Sequence, residues 1–359
     1  MNRRDQQDIR NDAGIDADLP PDPREQPPVT APPDVSGAAC RSEGESVSEG
    51  AGVPIAGRSL GQIAWLRLKR DRIALAGGFV IVFLILVAVF APFVVGLLGH
   101  PPNEPHEDLI DPDLLVPPGP LGGVSRDFLF GLEPQNGRDL FSRVVYGSRI
   151  SLLIAFLATL LSVVIGVVLG VVAGYFGGWV DNVIGRLMDI FLAFPLVVFA
   201  IALVGVIPDS AFGLSESALR VAVLVFIIGF FSWPYIGRII RGQTLSLRER
   251  EFVDAARSLG AGSGYILVRE LLPNLVAPIL VYSTLLIPTN ILFEAALAYL
   301  GVGVQPPTAT WGGMLSDATR WYQVDPWFLL PPGLAIFVTV LAFNLLGDGL
   351  RDALDPRTR

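Results

Sequence analysis

Six apolar runs, each long enough for a membrane-crossing helix, alternate with polar stretches along this chain of 359 residues. They cover about residues 73–98, 151–175, 190–207, 219–236, 275–300 and 329–346. A bilayer core needs roughly 20 residues of helix to cross it, so the pattern predicts an all-α membrane protein with six transmembrane helices. Residues 1–57 carry no such periodicity; they are rich in Asp, Pro, Gly, Ser and Glu and predict a disordered tail. That leaves 58–359 as the membrane domain. Its first stretch, residues 58–72, sets Arg58, Arg67, Lys69, Arg70 and Arg72 around Ile63, Trp65 and Leu66, the pattern of a short amphipathic helix at the headgroups.

Within the runs, Gly166, Gly170 and Gly174 recur every four residues, which places them on one helix face and lets another helix come close. Pro92 falls in the last third of the first run, and Pro278 and Pro288 predict kinks in the fifth. Trp233, Pro234 and Tyr235 read as the interfacial end of the fourth helix. In the polar connection 99–149, Leu140, Val144, Val145 and Ile150 suit either a helix lying along the interface or a simple loop.

One stretch breaks the apolar theme: EFVDAARSLGAGSGYILVRELLPN, residues 251–274. Glu251 to Leu259 are good helix formers, with acids early and Arg257 late, which suits the helix dipole. Gly260, Gly262 and Gly264 then mark a bend, and Tyr265 to Leu272 predict a second short helix. A bent helix pair held between two membrane spans has either a partner or another job at the bilayer surface, or is an ordinary amphipathic loop helix hugging the membrane.

Composition fits a membrane chain, 52% apolar and 17% charged. The net charge of −8 is mostly a property of the tail, where Asp5, Asp8, Asp12, Asp16, Asp18, Asp22, Glu25 and others outweigh a few arginines. Cys40 is the one cysteine, so no intrachain disulfide forms. Lys69, the one lysine, is followed by Arg70, which excludes a phosphate-binding loop of the G-x-x-x-x-G-K-[ST] type. His100 and His106 are the only histidines, so no multi-histidine metal site is expected.

DAARSLG followed by LLPN resembles the EAA loop of ABC-importer permeases, in the dipeptide/oligopeptide/nickel branch, and specifically its C-type permease. NGRDLFSRVVYGSR (136–149), DNVIGRLMDIFLAFP (181–195), EAALAYLGVGVQPPTATWGGML (294–315) and the terminal GDGLRDALDPR extend the likeness over about residues 60–359. The resemblance implies that Glu251, Asp254, Ala255, Ala256, Gly260, Leu272 and Pro273 form a coupling site for a separate ATPase. Asp254 stands where the family usually has Glu, and Glu270 where peptide permeases often have His. It also implies a second permease subunit, two ATPase subunits and an extracytoplasmic solute-binding protein. ATP would be used by partners and no cofactor bound directly. Peptides are the expected cargo, with nickel, glutathione-like and opine-type solutes open.

Arg186, Arg238, Arg241, Arg248, Arg250, Arg257, Arg269 and Arg351 fall on the same side as the termini, against Arg126, Arg138, Arg143, Arg149, Arg220 and Arg320 opposite. That bias predicts cytoplasmic termini in a bacterial inner membrane, with the 251–274 loop inside. Glu294 is the one acid within the predicted spans, about 28 Å along the fifth helix from Leu275. It is a candidate for the substrate path, for a hydrogen bond holding an outer gate, or for a solvated or capped helix-end carboxylate. The rival functions are a secondary transporter or channel working alone, a membrane enzyme, and a scaffold. A lone transporter would favour several intramembrane charges, and no span holds a Ser, His and Asp set for an enzyme. The bilayer, not nucleic acid, is the expected surroundings.

Overall fold

The computed structural model describes residues 65–119, 121–206, 213 and 215–354. The tail 1–57 and the first part of the basic approach segment lie outside the described residues. Among the described residues the structure is nearly all helix, with a single isolated β-bridge between Leu132 and Asp139. Five of the described helices are long and apolar enough to cross a membrane, and a bent helix pair passes the same test when its two halves are taken together.

Helix α1 (Arg72–Val89) starts at Asp71, whose Oδ1 accepts from the N–H groups of Ile73 at 2.9 Å and Ala74 at 3.1 Å. The expected span 73–98 is interrupted at Phe90, where α2 (Ala91–Leu98) begins with Pro92 in its first turn. Proline has no N–H to continue the ladder of α1. Helix α3 (Leu140–Phe176) is capped by Asp139 and ends at Gly177, which has φ +63°. Residues 140–150 are therefore neither a separate interfacial helix nor a loop. They are the first turns of a 37-residue helix, since a cap precedes them and no proline follows. At 1.5 Å per residue α3 is about 55 Å long, well beyond a bilayer core of about 30 Å.

The third apolar run is not one straight span. Helices α4 (Gly178–Ala193) and α5 (Leu196–Val206) meet at a 77° bend. Phe194 precedes Pro195 and takes extended angles, φ −77° and ψ 129°, as a residue before proline prefers. The fourth run departs in the other direction. Helix α6 (Glu216–Arg248) passes through Pro234 and continues well beyond Ile236. Trp233 is buried against α3 and α4, not placed at an interface. Helix α7 (Glu251–Ser258) is followed by α8 (Ser263–Tyr299). The chain then forms α9 (Trp311–Trp321), a 3-10 turn at Pro326–Leu329 and α10 (Leu330–Leu354), which outruns the expected 329–346.

Helices α3 and α6 run parallel, and the glycine stripe is their contact line. Gly166 lies against Trp233, Ile236 and Gly237, Gly170 against Gly237 and Ile240, and Gly174 against Arg241 and Thr244. Ser162 adds a bond from its hydroxyl to the Gly229 carbonyl at 2.7 Å. Helix α8 runs antiparallel to α3, and α1 antiparallel to α10, where Gly77 meets Ala342 and Gly349 meets Ala74. Helix α4 is held to α6 by ion pairs Arg241–Asp181 and Arg238–Asp189. Phe79, Phe83, Phe93 and Leu97 on α1 and α2 remain exposed, as a lipid-facing surface requires. The bundle thus has two functional ends: a bend end, holding residues 249–262, and a connector end, holding residues 99–139 and 300–329.

Candidate coupling site

At the bend end, α7 buries one residue fully, Val253, which packs with Ile266 and Leu271 at the foot of α8. Leu247 and Tyr175 border this small core, and the Arg257 guanidinium lies 5.8 Å from the Tyr175 ring centre. Arg257 also pairs with Asp254 at 3.2 Å, but both are exposed and such a pair contributes little. The apolar staple is what fixes α7 to α8.

Helix α7 ends in paired hydrogen bonds. The Gly260 N–H donates to the Arg257 carbonyl at 2.9 Å and the Ala261 N–H to the Ala256 carbonyl at 3.0 Å. This is a Schellman cap, and Gly260 takes the left-handed position with φ +83°. The turn pushes Leu259 into solvent, 89% exposed. Phe252, Ala255, Ala256, Leu259 and Tyr265 border an open concavity of about 530 Å³. Large apolar side chains around a groove at a protein's surface mark a place for a partner.

The predicted site residues divide here. Glu251, Asp254, Ala255 and Gly260 are exposed on α7 and its cap, and Ala256 is half-buried. Leu272 and Pro273 lie past the groove, inside α8. The expected second short helix, Tyr265 to Leu272, is not separate: residues Ser263–Tyr299 run on as one helical element. Its foot is a π-helix, Ile266–Leu271, in which the Leu272 N–H reaches the Leu267 carbonyl five residues back. Pro273, lacking an N–H, follows directly, and the wider turn accommodates the break in the ladder. Phe252, Leu259 and Tyr265 were not singled out from the sequence. The available signal was bulky apolar residues flanking a glycine bend.

At the connector end, Asp139 organises the start of α3. Its Oδ1 accepts from the Phe141 N–H at 3.1 Å, and its Oδ2 from the His100 N–H at 3.0 Å and the Ser142 hydroxyl at 2.5 Å. Beside it the buried Glu133 carboxylate receives Arg138 at 2.6 Å and Arg143 at 3.3 Å. Arg143 also donates to the Pro307 carbonyl at 3.3 Å, joining the two connectors. Asp139→Ala removes a cap and leaves the His100 N–H without its acceptor. We expect a loss of about 2–4 kcal/mol, read as a lower midpoint in thermal unfolding of the detergent-solubilised protein.

Glu294 is not a solvated helix-end carboxylate. It has no exposed surface and faces Ser151 of α3, whose hydroxyl donates to Glu294 Oε2 at 3.3 Å. The Trp311 N–H donates to the same Ser151 oxygen at 3.1 Å. The residues after Tyr299 fold back over this end as α9, which periodicity did not reveal.

Comparison with known proteins decides what this architecture is for. Residues 166–359 match the family described as binding-protein-dependent transport system inner membrane component. This chain belongs to that family. Residues 59–118 match the N-terminal transmembrane domain of oligopeptide transport permease C. Relatives include the dipeptide transport system permease protein DppC of Alkalihalophilus pseudofirmus, 40% identical over 82% of this chain and 90% of the relative. The glutathione transport system permease protein GsiD of Shigella flexneri is 42% identical over the same shares, and GsiD of Escherichia coli 40%. The chain is a multi-pass inner-membrane permease subunit of an ATP-driven importer. Nucleotide is hydrolysed in separate subunits, in keeping with the missing phosphate-binding loop. Membership implies ATPase and substrate-binding partners.

Proposed function

We propose that this permease forms half of a peptide translocation path and takes its drive at the bend end, where α7 and the Gly260 cap dock an ATPase. The observation that carries the reading is the apolar concavity around Leu259, on a helix stapled through Val253 to the foot of α8. A displacement of α7 is thereby delivered to a membrane helix and not absorbed in a loop. The resemblance of residues 251–274 to the EAA loop supports the same role for Glu251, Asp254, Ala255, Ala256, Gly260, Leu272 and Pro273. The full assembly in this reading holds a second, different permease, two ATPases and an extracytoplasmic binding protein.

The cargo is a short peptide. Support comes from the relatives' dipeptide and glutathione transport systems, since glutathione is itself a tripeptide. A concavity of about 380 Å³ between α6 and α8 is lined by Ser232, Tyr235, Tyr282 and Thr289 among apolar residues. Neutral hydroxyls of this kind can bond a peptide backbone without selecting side-chain charge. Glu294 points into α3 and leaves that surface uncharged, and in this reading it does not meet the solute.

Both termini and the bend end face the cytoplasm in this reading, as the basic residues near the bend favour. A Leu259→Cys variant in a Cys40→Ser background tests it. A membrane-impermeant thiol reagent labels the variant in inside-out vesicles and not in intact spheroplasts. Labelling of intact spheroplasts overturns the orientation. Peptides recovered with the purified cognate binding protein test the cargo.

A further inference from the structure

We infer that Glu294 is a positioning residue: with Ser151 and Trp311 it forms the joint through which movement of α8 reaches α9 at the connector end. The inference rests on the reading that α7 receives the drive, and it adds where that drive emerges. Helix α8 begins just past the Gly260 cap and carries Glu294 about 46 Å further on, at 1.5 Å per residue. One element therefore holds both the stapled foot and the buried carboxylate.

The joint has a shared centre. Ser151 Oγ donates its proton to Glu294 Oε2 and accepts from the Trp311 N–H, so one hydroxyl ties α8, α3 and α9 together. The Trp311 indole N–H donates to the Val144 carbonyl at 2.9 Å, fixing α9 to the same face of α3. Thr310 caps α9 by accepting from the Gly313 N–H at 3.0 Å. Gly312 rests directly on α8. A Cβ there would lie 2.7 Å from Ala295 Cα and 3.1 Å from Glu294 Oε2. Nothing separates the first turn of α9 from Glu294, so a shift of this part of α8 must move α9 or break these bonds.

The joint also holds unused bonding capacity. Asn290 Oδ1, one helical turn before Glu294, is buried with no hydrogen-bond partner among the described residues. Asn290 uses its other end to donate to Thr159 of α3 at 2.8 Å. A buried acceptor left open on this face of α8 is costly, and a second arrangement of α8 against α3 can satisfy it.

The test uses the complete importer in proteoliposomes, with Cys40→Ser as background. Spin labels at Tyr322→Cys, at the end of α9, and Leu160→Cys, on the exposed face of α3, report their separation without nucleotide and with ATP trapped. The expected result has three parts. The wild-type separation changes between the two states. Glu294→Gln assembles and hydrolyses ATP at a rate within about twofold of wild type, but imports at least tenfold less solute per ATP, and its separation no longer changes. Ser151→Ala behaves in the same direction. Wild-type solute per ATP in Glu294→Gln, or an α9 that stays fixed in the wild type, overturns the inference. Failure of both variants to assemble also overturns it, since the residues are then structural. Failure of the underlying reading looks different: the wild-type assembly itself shows no ATP-dependent uptake.

Discussion

Gly170→Leu removes folded permease from the membrane. The Cβ alone would lie 2.6 Å from the Gly237 carbonyl oxygen and 3.2 Å from the Arg241 backbone nitrogen. These are backbone atoms of α6, which no rotamer change can clear. Gly166 and Gly174 are equally close: a Cβ at either would stand 2.8 Å from a carbonyl oxygen, that of Trp233 or of Arg241. Overpacking a core costs about 1–3 kcal/mol when side chains can adjust. Here the α3–α6 contact must open along its length, and a loss of about 3 kcal/mol already lowers the folded-to-unfolded ratio by about two orders of magnitude. Gly242 in α6 provides the control, because a Cβ there meets nothing within 4 Å. Gly242→Ala should accumulate at the wild-type level and be slightly stabilised through helix propensity. Quantitative immunoblotting of membranes with fluorescence-detected gel filtration reads both outcomes.

Gly260→Pro and Ala256→Arg abolish transport while the chain stays in the membrane. Proline fixes φ near −65° and Gly260 sits at +83°, so the cap cannot form. Without it the paired bonds to Arg257 and Ala256 are lost, and Leu259 no longer projects beside the groove. Ala256 lines the concavity, and an arginine there fills it with a charged stem. Neither change touches the α3–α6 seam, so insertion and accumulation should match the wild type. Uptake should fall more than about 100-fold, the scale of losing about 3 kcal/mol of docking energy. Co-purified ATPase should be lost in parallel. Full uptake with normal ATPase recovery in both variants would falsify the coupling role.

Much of this architecture was legible because apolar run length reports lipid burial directly. The same measure misjudged helix length. Hydropathy falls after Ile236, yet α6 continues to Arg248, since beyond the bilayer its residues pack on α3, α4 and the foot of α8 instead of lipid. The glycine stripe was readable because an absent Cβ has one main use inside a membrane helix. The bend at Phe194 was readable in principle from the proline after it, but its apolar flanks disguised it as a straight span. Helix α9 left little trace, because its mixed residues show no run and its start depends on the Thr310 cap. That omission is why a solvated helix-end group stayed among the readings of Glu294: its burial comes from residues 310–314 folding over it.

ATP-driven uptake of a labelled peptide into proteoliposomes tests the central claim most directly. One set holds this permease with its second permease, both ATPases and the binding protein, and the other holds this chain alone. The account predicts uptake only in the first set, dependent on ATP at the bend end and lost on Gly260→Pro. Peptide accumulation in vesicles that contain this chain as their sole protein, with no nucleotide, would contradict it.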